Sequence, residues 1–99
     1  MSLMGLDVGS TGVKAIVFDE EGSQLGSAYQ EYAEVYPQPG WIELRPDEVW
    51  AATQRVICEA AAEAGGGVRS LSISALGETF TPVAEDGRFL HNSIVSPDN

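Results

Sequence analysis

Apolar residues along this chain fall into short runs separated by glycine-rich, proline-rich or acidic breaks. Leu3–Val8 is one such run and ends at Gly9; Gly12 opens another, Val13–Phe18, in which both alternating sets are mostly apolar. Two such runs around Gly9-Ser10-Thr11-Gly12 predict a hairpin of buried strands. Asp19-Glu20-Glu21-Gly22 reads as a solvated turn. Ser23–Tyr36 then alternates less cleanly, and predicts one long strand with a wetter face, closed by Pro37-Gln38-Pro39-Gly40. The one strong helical pattern starts at Pro46, suited to the first helical position, with Asp47 and Glu48 favoured by the dipole in the first turn. Val49, Thr53, Val56, Ile57, Ala60 and Ala64 recur at helical spacing as its apolar face, and Gly65-Gly66-Gly67 stops it. Val68–Leu76 predicts a strand with Val68, Leu71, Ile73 and Leu76 as core residues, and Thr79–Ala84 with Phe89–Val95 predicts a further pair across Glu85-Asp86-Gly87.

The order strand, strand, strand, helix, strand predicts an α/β layer. Connections among the first three strands are too short to cross over, so they form an antiparallel meander; the helix then brings the fourth strand back parallel to the first through a right-handed crossover. Ser96-Pro97-Asp98-Asn99 supplies no terminating element, so the chain reads as an incomplete domain.

Composition narrows the function classes. The chain has 99 residues and a formal net charge of -10, with five Lys and Arg against fifteen Asp and Glu. Such a surface offers little to displace counterions from nucleic acid, so no nucleic-acid partner is expected. No apolar run approaches the roughly 20 residues that span a bilayer, and the start has no secretory signal pattern, so neither a membrane nor export is expected. Met4 reads as a native start, with Met1–Leu3 an addition ahead of it. The single cysteine, Cys58, excludes an internal disulfide and reads as a small packing residue of the helix, in a cytoplasmic, reducing setting. His91 is the lone histidine and reads as a surface or hydrogen-bonding residue.

Chemistry concentrates in Asp7-Val8-Gly9-Ser10-Thr11-Gly12-Val13-Lys14. A carboxylate ends a buried strand, a tight turn flanked by glycines follows, and a cation sits on the returning strand. Converging backbone amides in such a turn suit phosphate oxygens, and the Ser10 and Thr11 hydroxyls add donors. Asp7, an anion, would serve phosphate only by holding Mg²⁺ through water. The plainer alternative is a hairpin with a polar turn.

This octapeptide resembles the first phosphate-binding motif of the sugar kinase, actin and heat-shock chaperone ATPase superfamily. The resemblance implies a ribonuclease H-like fold, with Asp7 at the metal-associated position, Gly9, Ser10 and Thr11 in the phosphate loop, and Lys14 as the basic residue of the second strand. Pro39-Gly40-Trp41-Ile42-Glu43-Leu44-Arg45-Pro46-Asp47-Glu48-Val49-Trp50 is similar to a segment of FGGY carbohydrate kinases, in which a Gly-Trp-x-Glu run precedes a Pro-x-x-x-Trp helix start. Trp41 and Trp50 are expected to be aromatic anchors of the core. By the same resemblance Gly77, Glu78, Thr79 and Asp98 take substrate-contacting positions, Glu78 where glycerol kinases carry a glutamate for substrate hydroxyls; two carboxylate oxygens suit adjacent hydroxyls. Leu76, Gly77 and Ser96 depart from residues common in the family, which sets the chain apart from a standard glycerol or xylulose kinase and leaves the sugar open.

The resemblance therefore implies that residues 1–99 are the N-terminal part of the first domain of an ATP- and Mg²⁺-dependent carbohydrate kinase, acting on a sugar or polyol. The catalytic base is expected further along the family's sequence, and this fragment is expected to be inactive alone. A homodimer is one assembly open to it, and the oligomeric state is left undecided by the sequence. The alternatives are an activator-type ATPase of the same superfamily, whose opening motif is very similar, and a non-catalytic acidic interaction domain.

Overall fold

A computed structural model describes residues 2–75, 81 and 83–95. The predicted hairpin forms β1 (Ser2–Val8) and β2 (Gly12–Asp19), and β3 (Gln24–Glu31) continues the meander. The chain then makes β4 (Glu34–Val35), β5 (Ile42–Leu44), helix α1 (Pro46–Glu63), β6 (Val68–Ala75) and β7 (Ser93–Val95). The main sheet runs β3-β2-β1-β6, with β1 antiparallel to β2, β2 antiparallel to β3, and β1 parallel to β6. The meander, the crossover helix and the parallel fourth strand are as expected.

Alternation along the strands decides which face α1 covers. Met4 and Leu6 of β1 and Val13, Ala15 and Val17 of β2 are buried in one cluster with Ala52, Val56 and Ala60 of α1. Ala52 joins the buried helix face, which the spacing of the apolar residues had not assigned to it. Thr53 is buried there too, and its hydroxyl donates to the Val49 carbonyl at 2.7 Å, so no polar group is stranded. Pro46 occupies the helix start, where the Arg45 guanidinium meets the Glu48 carboxylate at 3.1 Å. At the other end Gly65, Gly66 and Gly67 take φ of 83°, 80° and 77°, and the Gly66 amide closes on the Ala61 carbonyl at 2.8 Å.

Several expectations are corrected. Ser23–Tyr36 is not one strand. β3 stops at Glu31 because its neighbour begins only at Gly12, the residue opposite Glu31. With no partner left, the chain leaves the sheet, and β4 joins a second sheet of order β4-β5-β7. β5 lies between the Pro37–Gly40 turn and the helix, where the sequence pattern predicts no element. Of the pair expected from Thr79–Ala84 and Phe89–Val95, residues 79, 80 and 82 lie outside the described residues; the rest show an antiparallel bridge of Val83 with Phe89 across the expected turn, and β7 also pairs antiparallel with β5. Leu71 and Ile73 are not core but 45% and 59% exposed, since β6 is an edge strand and α1 packs over β2 and β3. Trp41 and Trp50 are 53% and 58% exposed and so are not the core anchors expected. Cys58 is exposed as well. Among the described residues no helix is long and apolar enough to cross a membrane.

Candidate phosphate site at the β1–β2 turn

Burying Met4 and Leu6 under α1 turns the intervening residues, Gly5 and Asp7, to the opposite face of the sheet. Register then assembles the site. Asp7 is the direct cross-strand partner of Lys14 and, on its other side, of Ser74 in β6. A depression of about 460 Å³ on this uncovered face takes in Asp7, Lys14, Ile16, Phe18, Ser72 and Ser74. Both Asp7 and Lys14 are exposed, and among the described residues neither is drawn into an ion pair. Their charges stay free for a ligand. The parallel strands β1 and β6 finish together, Val8 beside Ala75, so the turn rises from the carboxyl-terminal edge of the sheet, where open α/β sheets bind ligands.

The turn is tied from behind. The Gly9 amide donates to the Gly12 carbonyl at 2.9 Å, and the Tyr32 amide donates to the Thr11 carbonyl at 3.1 Å. The buried Tyr32 hydroxyl donates to the Gly12 carbonyl at 3.2 Å and also to the Gly9 carbonyl. Among the described residues no protein acceptor takes the Ser10 or Thr11 amide, so these two donors are left for something outside the chain. Burial pushes the Tyr32 phenol up to about 12, and the neighbouring Tyr29 and Asp7 add to the rise. Tyr32 therefore remains a donor throughout the physiological range. On the other side of the turn the Tyr29 ring lies against Gly12, where an added Cβ would stand 2.5 Å from the tyrosine oxygen. Neither tyrosine is marked by the motif, because Tyr29 lies in β3 and Tyr32 directly follows it, and both reach the turn only through sheet pairing.

Gly9, Ser10, Thr11, Lys14 and Asp7 are thus brought together. Gly77, Glu78, Thr79 and Asp98 lie outside the described residues. A second polar group lies on the small sheet. Buried Glu43 accepts from the Asn92 side chain at 3.2 Å, with the His91 ring 3.9 Å from its other oxygen, while Thr81 and Ser93 share a hydroxyl hydrogen bond of 2.5 Å. The Asn92–Glu43 bond fastens the start of β7 to β5, and His91 Nδ1 lies 2.9 Å from the Asn92 carbonyl, within the surface or hydrogen-bonding role expected of it. Among the described residues no group of three or more His, Cys, Asp or Glu side chains could hold a metal by itself.

Comparison with known proteins shows the family. Residues 2–99 match the family model described as the N-terminal domain of the FGGY family of carbohydrate kinases. A glycerol kinase of Petrotoga mobilis is 41% identical over 102 residues, covering 97% of this chain and 20% of that protein. The chain thus spans about a fifth of the length of this relative. Among solved structures, a gluconate kinase from Lactobacillus acidophilus superposes with a TM-score of 0.88 at 26% identity, over 94% of this chain and 19% of that one. A Plasmodium falciparum glycerol kinase solved with ADP shares the fold, with a TM-score of 0.84 at 20% identity, over 95% of this chain and 20% of that one. Motif, topology and family match converge, and the chain belongs to the FGGY family of carbohydrate kinases.

Proposed function

We propose that the protein carrying this chain transfers the γ-phosphoryl group of ATP to a hydroxyl of a sugar or polyol, and that residues 1–99 are the N-terminal part of its first domain. The observation that carries this reading is the β1–β2 turn, with its carbonyls fastened behind it, two amides left without protein acceptors, and Asp7 and Lys14 side by side at its foot. Gly9, Ser10 and Thr11 cradle phosphate oxygens through amides and hydroxyls, and Lys14 offsets their charge. A lone exposed carboxylate suits Mg²⁺, which keeps most of its waters and binds protein through one or two acids, so Asp7 is the residue that would hold it through water. Bound there, the ion would offset charge developing on the phosphates.

In the transfer, the substrate oxygen forms a bond to the γ-phosphorus, the bond to the β,γ-bridging oxygen breaks, and the hydroxyl proton passes to a base; we assign no base to this chain. By the family resemblance Glu78 would orient the substrate hydroxyls, and Gly77, Thr79 and Asp98 would contribute further substrate contacts. The kinase names of the relatives support ATP as donor and a polyol or sugar as acceptor. A cytoplasmic setting completes the reading.

The test is ADP release by the full-length protein with ATP, Mg²⁺ and a panel of sugars and polyols. Phosphorylation of at least one is expected, and phosphorylation of none rejects the proposal. Asp7→Ala should lower kcat by about 10²-fold or more, as loss of a transition-state charge stabiliser does. Glu78→Ala should chiefly raise KM for the sugar. Wild-type kinetics in both variants would remove these roles.

A further inference from the structure

We infer that Tyr32 is the positioning residue that keeps the β1–β2 turn in its phosphate-accepting form, an inference that rests on the phosphate-site reading above. A turn carries carbonyls as well as amides, and a carbonyl aimed at phosphate repels it. An anion cradle therefore needs its carbonyls held on the side away from the ligand. Here one residue does most of that work. The single O–H of Tyr32 is shared between the Gly9 and Gly12 carbonyls, and its main-chain amide holds the Thr11 carbonyl. Gly9, Thr11 and Gly12 are thereby all fixed from the helix-facing side, while the Ser10 and Thr11 amides have no acceptor among the described residues. Tyr32 reaches these groups because β3 is paired with β2 up to Gly12 and Glu31, which places the next side chain directly beneath the turn.

The inference separates the hydroxyl from the ring. A phenylalanine at this position retains the buried ring and the main-chain bond to Thr11 but releases the Gly9 carbonyl and leaves the Gly12 carbonyl held by the Gly9 amide alone. The peptide plane after Gly9, freed at a residue without a Cβ, can rotate at little steric cost, and a rotated plane presents an oxygen where an amide belongs. Phosphate affinity then falls although the sugar site is untouched. A residue that merely stabilised the fold would lower the melting temperature without distinguishing the two substrates.

The experiment compares full-length wild type and Tyr32→Phe by ADP titration in the presence of Mg²⁺ and by steady-state kinetics. Weakening of ADP binding and a rise in KM for ATP of about tenfold are expected, the scale of one lost hydrogen-bonding group, with KM for the sugar within about twofold of wild type. ADP affinity equal to wild type overturns the inference while leaving the phosphate site standing. Wild type that takes no ADP overturns the phosphate site itself, and this inference with it. Should the variant not fold, ¹³Cζ-tyrosine placed site-specifically at position 32 of the unaltered sequence reports on the hydroxyl directly. Its resonance should shift on addition of ADP, and an unmoved resonance in an ADP-bound protein overturns the inference.

Discussion

Replacing Gly12 by alanine tests the site through sterics alone. The backbone at Gly12 suits any residue, so the only penalty is the space its new methyl group needs. An ideal Cβ there stands 2.5 Å from the Tyr29 oxygen, 2.7 Å from its Cζ and 2.7 Å from the Gln30 carbonyl oxygen. Ordinary contact begins at 3.4 Å. Tyr29 is a half-exposed side chain and can swing aside, which relieves the first two contacts. Gln30 O belongs to the backbone of β3 and cannot move without the strand, so the turn itself must shift by about 0.7 Å to restore contact distance. Overpacking of this kind costs about 1–3 kcal/mol of stability. Misplacing a binding group by about 1 Å can lower the rate about 10²-fold. We therefore expect Gly12→Ala to lower kcat/KM for ATP by about 10- to 100-fold in the full-length protein, measured by coupled ADP release. Adding Tyr29→Ala should recover only part of the loss. Wild-type kcat/KM in the single variant would refute the reasoning, and full recovery in the double variant would show that the Gln30 carbonyl is no obstacle.

At Gly26 an added Cβ would lie 2.5 Å from the Ala60 oxygen and 2.9 Å from the Ala64 nitrogen, both helix backbone, so Gly26→Ala should destabilise by about 1–3 kcal/mol in a thermal scan. Gly5→Ala, with nothing within 4 Å, is the control and should leave the melting temperature unchanged. Alkaline pH tests Tyr32 independently. Its phenol is raised from 10.0 to about 12 in the fold, so its stabilisation is complete below pH 10 and is lost as pH climbs toward 12. The melting-temperature gap between wild type and Tyr32→Phe should narrow across that window, and a constant gap would contradict the bonding described.

The features legible along the chain are those set by neighbouring residues. Pro46 followed by two acids, an apolar helical face and three glycines marked both ends of α1 closely, because caps and breakers act within a turn of where they stand. Val13–Phe18 and Leu3–Val8 read as a hairpin because a short polar turn between apolar runs leaves little other choice, and the same turn carried the family resemblance. Partners distant in sequence were beyond that reading. Alternation through Ser23–Tyr36 shows which residues share a face but not where the neighbouring strand ends, and that end is what divides β3 from β4. Leu71 and Ile73 are apolar enough for a core and stand beside Met4 and Leu6 on the same face, yet how far across the sheet a single helix reaches depends on where it docks. Tyr32 is the sharpest case. Its hydroxyl meets carbonyls 20 and 23 residues earlier, with nothing local to distinguish it from Tyr29 or Tyr36, because a hydrogen bond between strands exists only once the sheet has brought its two groups together.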